Sequence, residues 1–156
     1  LKTHTEHCIP TPRGTFHLTL AFLGETDRLT DVIQAMDQVH GAPFPLISSG
    51  IGQFPLKEGD LWWMGIESTP PLMDLQAQLA DSLRGAGFGI SDKPYQPRAS
   101  LARQVKPKPD LDVAELERLL PPMSFEVRYM TLFRSDWDRG NLFYTPLHRT
   151  MLTEEN

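Results

Sequence analysis

Three observations predict that this sequence folds as an α+β domain. Several stretches alternate apolar and polar residues with a period of two, as strands with one buried face do. Two stretches, near residues 29–39 and 69–83, instead repeat apolar residues every three or four positions, which marks one face of a helix. Turn sequences such as Lys57-Glu58-Gly59-Asp60 and Asp138-Arg139-Gly140 connect neighbouring strands as hairpins. Helices interleaved with hairpins fit an α+β architecture better than a doubly wound parallel sheet, which needs strand–helix–strand crossovers.

The opening stretch, Leu1 to Gly14, holds Pro10, Pro12 and Gly14 without an apolar period and reads as a loop. Thr15 to Leu23 then alternates. Phe16, Leu18, Leu20 and Phe22 form an apolar face, and His17, Thr19 and Ala21 a small or polar one, until Gly24 ends the strand. In the first helix Leu29, Val32, Ile33, Met36 and Val39 share a face, Thr26 or Thr30 caps the start and Gly41 closes it. Strands are expected at Pro45 to Phe54 and Leu61 to Glu67, joined by the Lys57–Asp60 turn. A second helix begins at Thr69 with Pro70 in its first turn. It buries Leu72, Leu75, Leu79 and Leu83, and stops at Gly85 and Gly87. Pro97 to Val105 is a short strand with Arg98, Ser100 and Ala102 on one face and Ala99, Leu101 and Arg103 on the other. Residues 111–120 suggest a short helix halted by Pro121-Pro122. Met123 to Phe133 alternates again and pairs with Asn141 to His148. No linker divides the chain.

Composition narrows the function classes. Of 156 residues 40% are hydrophobic and 22% charged, which is ordinary globular usage and excludes a disordered tail or a collagen-like rod. No apolar run reaches the length of a membrane-spanning helix and no signal peptide is visible, so a cytoplasmic location is expected. The single cysteine, Cys8, excludes an internal disulfide framework. Net charge is −5, the wrong sign for a protein that coats nucleic acid. It is unevenly spread: nine Lys and Arg face seven Asp and Glu between Arg98 and Arg149, against six and thirteen in the rest. A basic patch there suits a small anionic ligand.

The motif that carries chemistry is a weak internal repeat. His17-Leu18-Thr19-Leu20-Ala21 is echoed 81 residues later by Arg98-Ala99-Ser100-Leu101-Ala102. In each, a basic side chain, a hydroxyl and an alanine fall on one strand face. Two such strands side by side would aim two basic groups and two hydroxyls at one point, and that combination suits a phosphate. Of Trp62 and Trp63, one is expected in the core while the other is available for stacking. His4, His7 and Cys8 lack a fourth ligand nearby, so no metal site is expected.

The segment FHLTLAFLGE, residues 16–25, resembles the first signature of the 2H phosphoesterases, named for two H-x-[ST]-x motifs. Within them it is most similar to the bacterial RNA 2′,3′-cyclic phosphodiesterases, the LigT-like proteins once called 2′-5′ RNA ligases. Leu61-Trp62-Trp63-Met64-Gly65-Ile66, Pro97 to Arg103 and Phe143-Tyr144-Thr145-Pro146-Leu147 resemble later family segments in the right order. The resemblance implies two pseudo-symmetric lobes of antiparallel strands with outer helices around a central cleft, each lobe giving one motif. Residues 1–156 would form this single bilobal domain, apparently without the strand and helix that precede the first motif in the family.

By the same resemblance His17 is the acid that protonates the leaving ribose oxygen, Thr19 and Ser100 hold the phosphate, and position 98 is the base. Here it is Arg98, which stays protonated and cannot be a base, although its planar fork grips phosphate. His148 and Asp136 are conceivable substitutes. The implied activity is metal-independent hydrolysis of RNA 2′,3′-cyclic phosphate ends to 2′-phosphates, with weak reversible 2′-5′ ligation and attenuated by Arg98. Its partners would be RNA ends or nucleoside 2′,3′-cyclic phosphates, with no cofactor, no metal and no membrane, acting as a monomer. The alternative is a binding module that captures a nucleotide or RNA-end phosphate without turnover. A generic α+β domain with an unrelated role is the third reading.

Overall fold

The computed structural model describes residues 5–10, 17–57, 59–107 and 123–153. Among the described residues seven strands and two helices run in the order β1 (Thr5–Pro10), α1 (Leu29–Asp37), β2 (Phe44–Phe54), β3 (Asp60–Ile66), α2 (Pro70–Gly85), β4 (Arg98–Pro107), β5 (Ser124–Val127), β6 (Tyr129–Asp138) and β7 (Asn141–Met151). Five strands form a sheet in the order β1-β4-β3-β2-β5, and β6 and β7 form a two-stranded ribbon. The antiparallel pairs β1–β4, β3–β4, β2–β3 and β6–β7 agree with the α+β class. By its internal packing the chain divides into two compact units. Residues 1–19, 47–67 and 97–124 form the first, and residues 20–46, 68–96 and 125–156 the second.

In the first unit β3 buries Trp62, Met64 and Ile66, the residues of one period-2 face, with Ala99 of β4 in register with Met64. Trp62 is 0% exposed and Ala99 2%. The opposite face carries Trp63, Gly65, Arg98 and Ser100, with Trp63 opposite Ser100 and Gly65 opposite Arg98. In the second unit α1 buries Val32, Ala35 and Met36 and packs on α2, which buries Leu72, Leu75, Leu79, Ala80 and Leu83. The apolar spacing of both helices therefore marks the faces that meet, except that Leu29 at the start of α1 is 42% exposed. Thr69 is the N-cap residue of α2 and Pro70 its first helical residue, where a missing N–H costs no hydrogen bond. Gly87, with φ +95°, ends the helical course.

Four expectations change. Residues 1–14 are not all loop, because β1 pairs with β4. Its register shifts between Thr5 and His7 and again between His7 and Ile9, and such irregularities erase the period-2 signal. Its Pro10 is tolerated at a sheet edge, where one side of the strand needs no donor. Residues 17–23 form no strand, and Thr15 and Phe16 lie outside the described residues. Phe22, expected inward, is 83% exposed. An alternating sequence needs a ladder partner to become a strand, and both sides of β4 are occupied by β1 and β3. The carbonyl of Leu20 accepts instead from the side-chain amide of Gln76, 3.3 Å away. The stretch expected as one strand from Met123 to Phe133 breaks at Arg128 into β5 and β6, which belong to different sheets. At the start of α1 neither Thr26 nor Thr30 is the capping residue: Arg28 is, and Thr26 Oγ1 accepts from its backbone N–H at 3.0 Å. The helix expected at 111–120 lies outside the described residues.

Candidate active site

His17, Thr19, Arg98 and Ser100 all belong to the first compact unit, whose boundary with the second falls between Thr19 and Leu20. His17 and Thr19 are half-buried on the irregular segment 17–23. Arg98 and Ser100 are exposed on one face of β4 and Ala99 between them is buried, which the alternation of 98–100 anticipates. The side chains of Leu101, Ala102 and Arg103 lie outside the described ones.

The surroundings of Arg98 are aromatic. Its guanidinium carbon lies 4.7 Å from the Phe54 ring centroid and 5.7 Å from that of Trp63. The two rings are themselves 5.7 Å apart and inclined by 39°. Gly52, opposite Trp63 in the β2–β3 ladder, makes this possible: a Cβ there would come within 2.0 Å of the indole. Gly65, the ladder partner of Arg98, lies against Ser49, whose carbonyl oxygen a Cβ there would meet at 2.8 Å. Trp62 is thus the tryptophan in the core, and Trp63 is half-buried on the opposite sheet face. Phe54 was not singled out from the sequence. Its signal was the shared two-residue phase of Gly52 and Phe54 on the strand paired with Leu61 and Trp63.

The two conceivable substitute bases both belong to the second unit, and each has a side-chain partner there. Asp136 pairs with Arg134 at 2.9 Å on the exposed surface of β6. His148 Nε2–H donates to Asp37 Oδ1 at 2.9 Å, and Thr150 Oγ1 donates to the same oxygen at 2.7 Å. These hydrogen bonds, His148 first, hold the Asp37 carboxyl below its ordinary value and tie the end of α1 to β7. Among the described residues no three His, Cys, Asp or Glu side chains gather as a metal site, and no helix is long and apolar enough to cross a membrane. His4 and the side chains of His7, Cys8 and Trp137 lie outside the described ones.

Comparison with known proteins gives consistent matches. A family model described as the 2′-5′ RNA ligase superfamily matches residues 4–139. The chain is 29% identical over 151 residues to the RNA 2′,3′-cyclic phosphodiesterase of Escherichia coli (strain K12), covering 93% of this chain and 80% of that protein. To the RNA 2′,3′-cyclic phosphodiesterase of Geobacillus stearothermophilus it is 27% identical over 143 residues. That match covers 87% of this chain but 44% of the relative, so the chain spans less than half of that protein's length. The fold is similar to the crystal structure of E. coli LigT complexed with 3′-AMP, with a TM-score of 0.74, 28% identity, and coverage of 93% of this chain and 81% of that one. The family match spans both the His17–Thr19 and the Arg98–Ser100 pairs, and with it the chain belongs to the 2′-5′ RNA ligase superfamily.

Proposed function

We propose that this protein is an RNA 2′,3′-cyclic phosphodiesterase that opens cyclic phosphate ends to 2′-phosphates, with weak reversible 2′-5′ ligation. The observation that carries the reading is the family match over residues 4–139, which takes in both the His17–Thr19 and the Arg98–Ser100 pairs, with Arg98 and Ser100 exposed on one face of β4. The names of the relatives support it, since both are called RNA 2′,3′-cyclic phosphodiesterase. In this reading Thr19 and Ser100 donate hydroxyl hydrogen bonds to the phosphate and Arg98 neutralises its charge. Water attacks phosphorus, the bond from phosphorus to the 3′ oxygen breaks, and His17 gives its proton to that oxygen. The proton of the attacking water passes to solvent, because a guanidinium cannot accept it. Lacking that base costs about 10²–10⁴-fold in rate. The chemistry uses no metal or cofactor, and the protein works on RNA ends or nucleoside 2′,3′-cyclic phosphates as a cytoplasmic monomer.

Arg98 at the second motif position favours one other reading, a module that captures an RNA-end phosphate without turnover. Hydrolysis of a nucleoside 2′,3′-cyclic phosphate separates the two. The expected result is slow turnover by the natural chain, none by His17→Ala, and a gain on the order of 10²-fold or more in Arg98→His. Activity that appears only in Arg98→His would favour the capture module. Silence in all three would count against both the enzyme reading and a cleft competent for catalysis.

A further inference from the structure

We infer that Phe54 and Trp63 are positioning residues that fix the Arg98 guanidinium as an anion clamp, an inference that rests on the reading of Arg98 as a phosphate ligand. An arginine on an exposed strand face normally samples many rotamers, and that freedom is lost each time it grips an anion. Here the guanidinium is already restrained, 4.7 Å from one ring and 5.7 Å from the other. Both distances lie within the range over which a cation is attracted to the face of a ring. The rings are placed by backbone features: Trp63 occupies the space that a side chain at Gly52 would fill, and Phe54 stands beside it at 5.7 Å. A planar guanidinium can be attracted to a ring face and still offer a fork of N–H donors to phosphate oxygens, a combination particular to arginine. A lysine at this position would keep the charge but lose the flat face and the fork.

The ligand class is a terminal or cyclic phosphate, and the probe for the test is inorganic phosphate. Binding is titrated by calorimetry on the full chain for the natural protein, Phe54→Leu, Trp63→Leu and Phe54→Tyr, each with Arg98 and with Arg98→Ala. With Arg98 present, each leucine variant is expected to bind phosphate roughly two- to fivefold more weakly, and Phe54→Tyr to restore binding because it keeps a ring face. With Arg98→Ala, replacing the rings should cost nothing further. In the natural protein the Arg98 Nε–H NMR signal is expected to be displaced upfield by ring currents and to return to an ordinary position in Phe54→Leu. Because Phe54 is 37% exposed, its leucine variant tests the inference even if Trp63→Leu fails to fold. Equal losses with and without Arg98, an undisplaced Nε–H signal, or no phosphate binding by the natural protein would overturn the clamp. Turnover of a nucleoside 2′,3′-cyclic phosphate is read separately: a chain that follows the binding cycle without turnover keeps the clamp and loses the phosphodiesterase reading.

Discussion

By the resemblance of its motif, Arg98 takes the place of a histidine, and at the residue scale the difference is one of proton chemistry more than of charge. A histidine gains and loses a proton near neutral pH, whereas a guanidinium only donates hydrogen bonds. The resemblance of the two motifs singles out this position, but the contact of Phe54 with it was not legible, because Phe54 and Arg98 are 44 residues apart and on strands separated by β3. Asp37 shows a second effect of single side chains. Its carboxyl is held below its ordinary value by His148 and then Thr150. A depressed carboxyl adds stability above its unfolded value, and that stability is lost as pH falls through the folded one. Asp37→Asn should therefore unfold at lower denaturant than the natural protein at neutral pH. The gap should close as pH drops below the ordinary carboxylate range. Urea titrations at several pH values check this, and a gap independent of pH would show that the charge is not what Asp37 contributes.

At the scale of elements the helices were readable and the strands only partly so. The stripes of α1 and α2 are set by local periodicity, and Val32, Met36, Leu72, Leu75, Leu79 and Leu83 are buried where the spacing put them. A strand depends on its partner. The alternation at 17–23 has no ladder, and that at 123–133 changes sheets at Arg128, because period two records facing and not pairing. The β6–β7 turn was legible from Asp138-Arg139-Gly140: Arg139 and Gly140 take φ +52° and +78°, as a two-residue hairpin requires. The β2–β3 ladder offers a direct test of packing. In Gly52→Ala the new methyl would meet the Trp63 indole at 2.0 Å, and the ring itself must give way. The variant is expected to lose about 1–3 kcal/mol of stability, measured by denaturant unfolding. Unchanged stability would mean that the indole moves aside at little cost.

For the whole molecule, length and composition bounded the class, and the motif order from His17 to Tyr144 indicated the family that the match over residues 4–139 then established. If His17, Thr19, Arg98 and Ser100 carry the reaction, turnover should persist in EDTA with an unchanged rate. Loss on chelation that added magnesium restores would assign a share of the chemistry to a metal instead. The sequence by itself determined the α+β class, both helical faces, the β2–β3 and β6–β7 hairpins, and the alternation that exposes Arg98 and Ser100 around buried Ala99. All of these follow from local periodicity and turn chemistry. Only the tertiary structure decided that β1 lies against β4, that 17–23 is left without a ladder, and that Phe54 and Trp63 meet under Arg98. Those features depend on register between distant segments, and register is fixed by which backbones pair, a quantity that no local pattern of side chains contains.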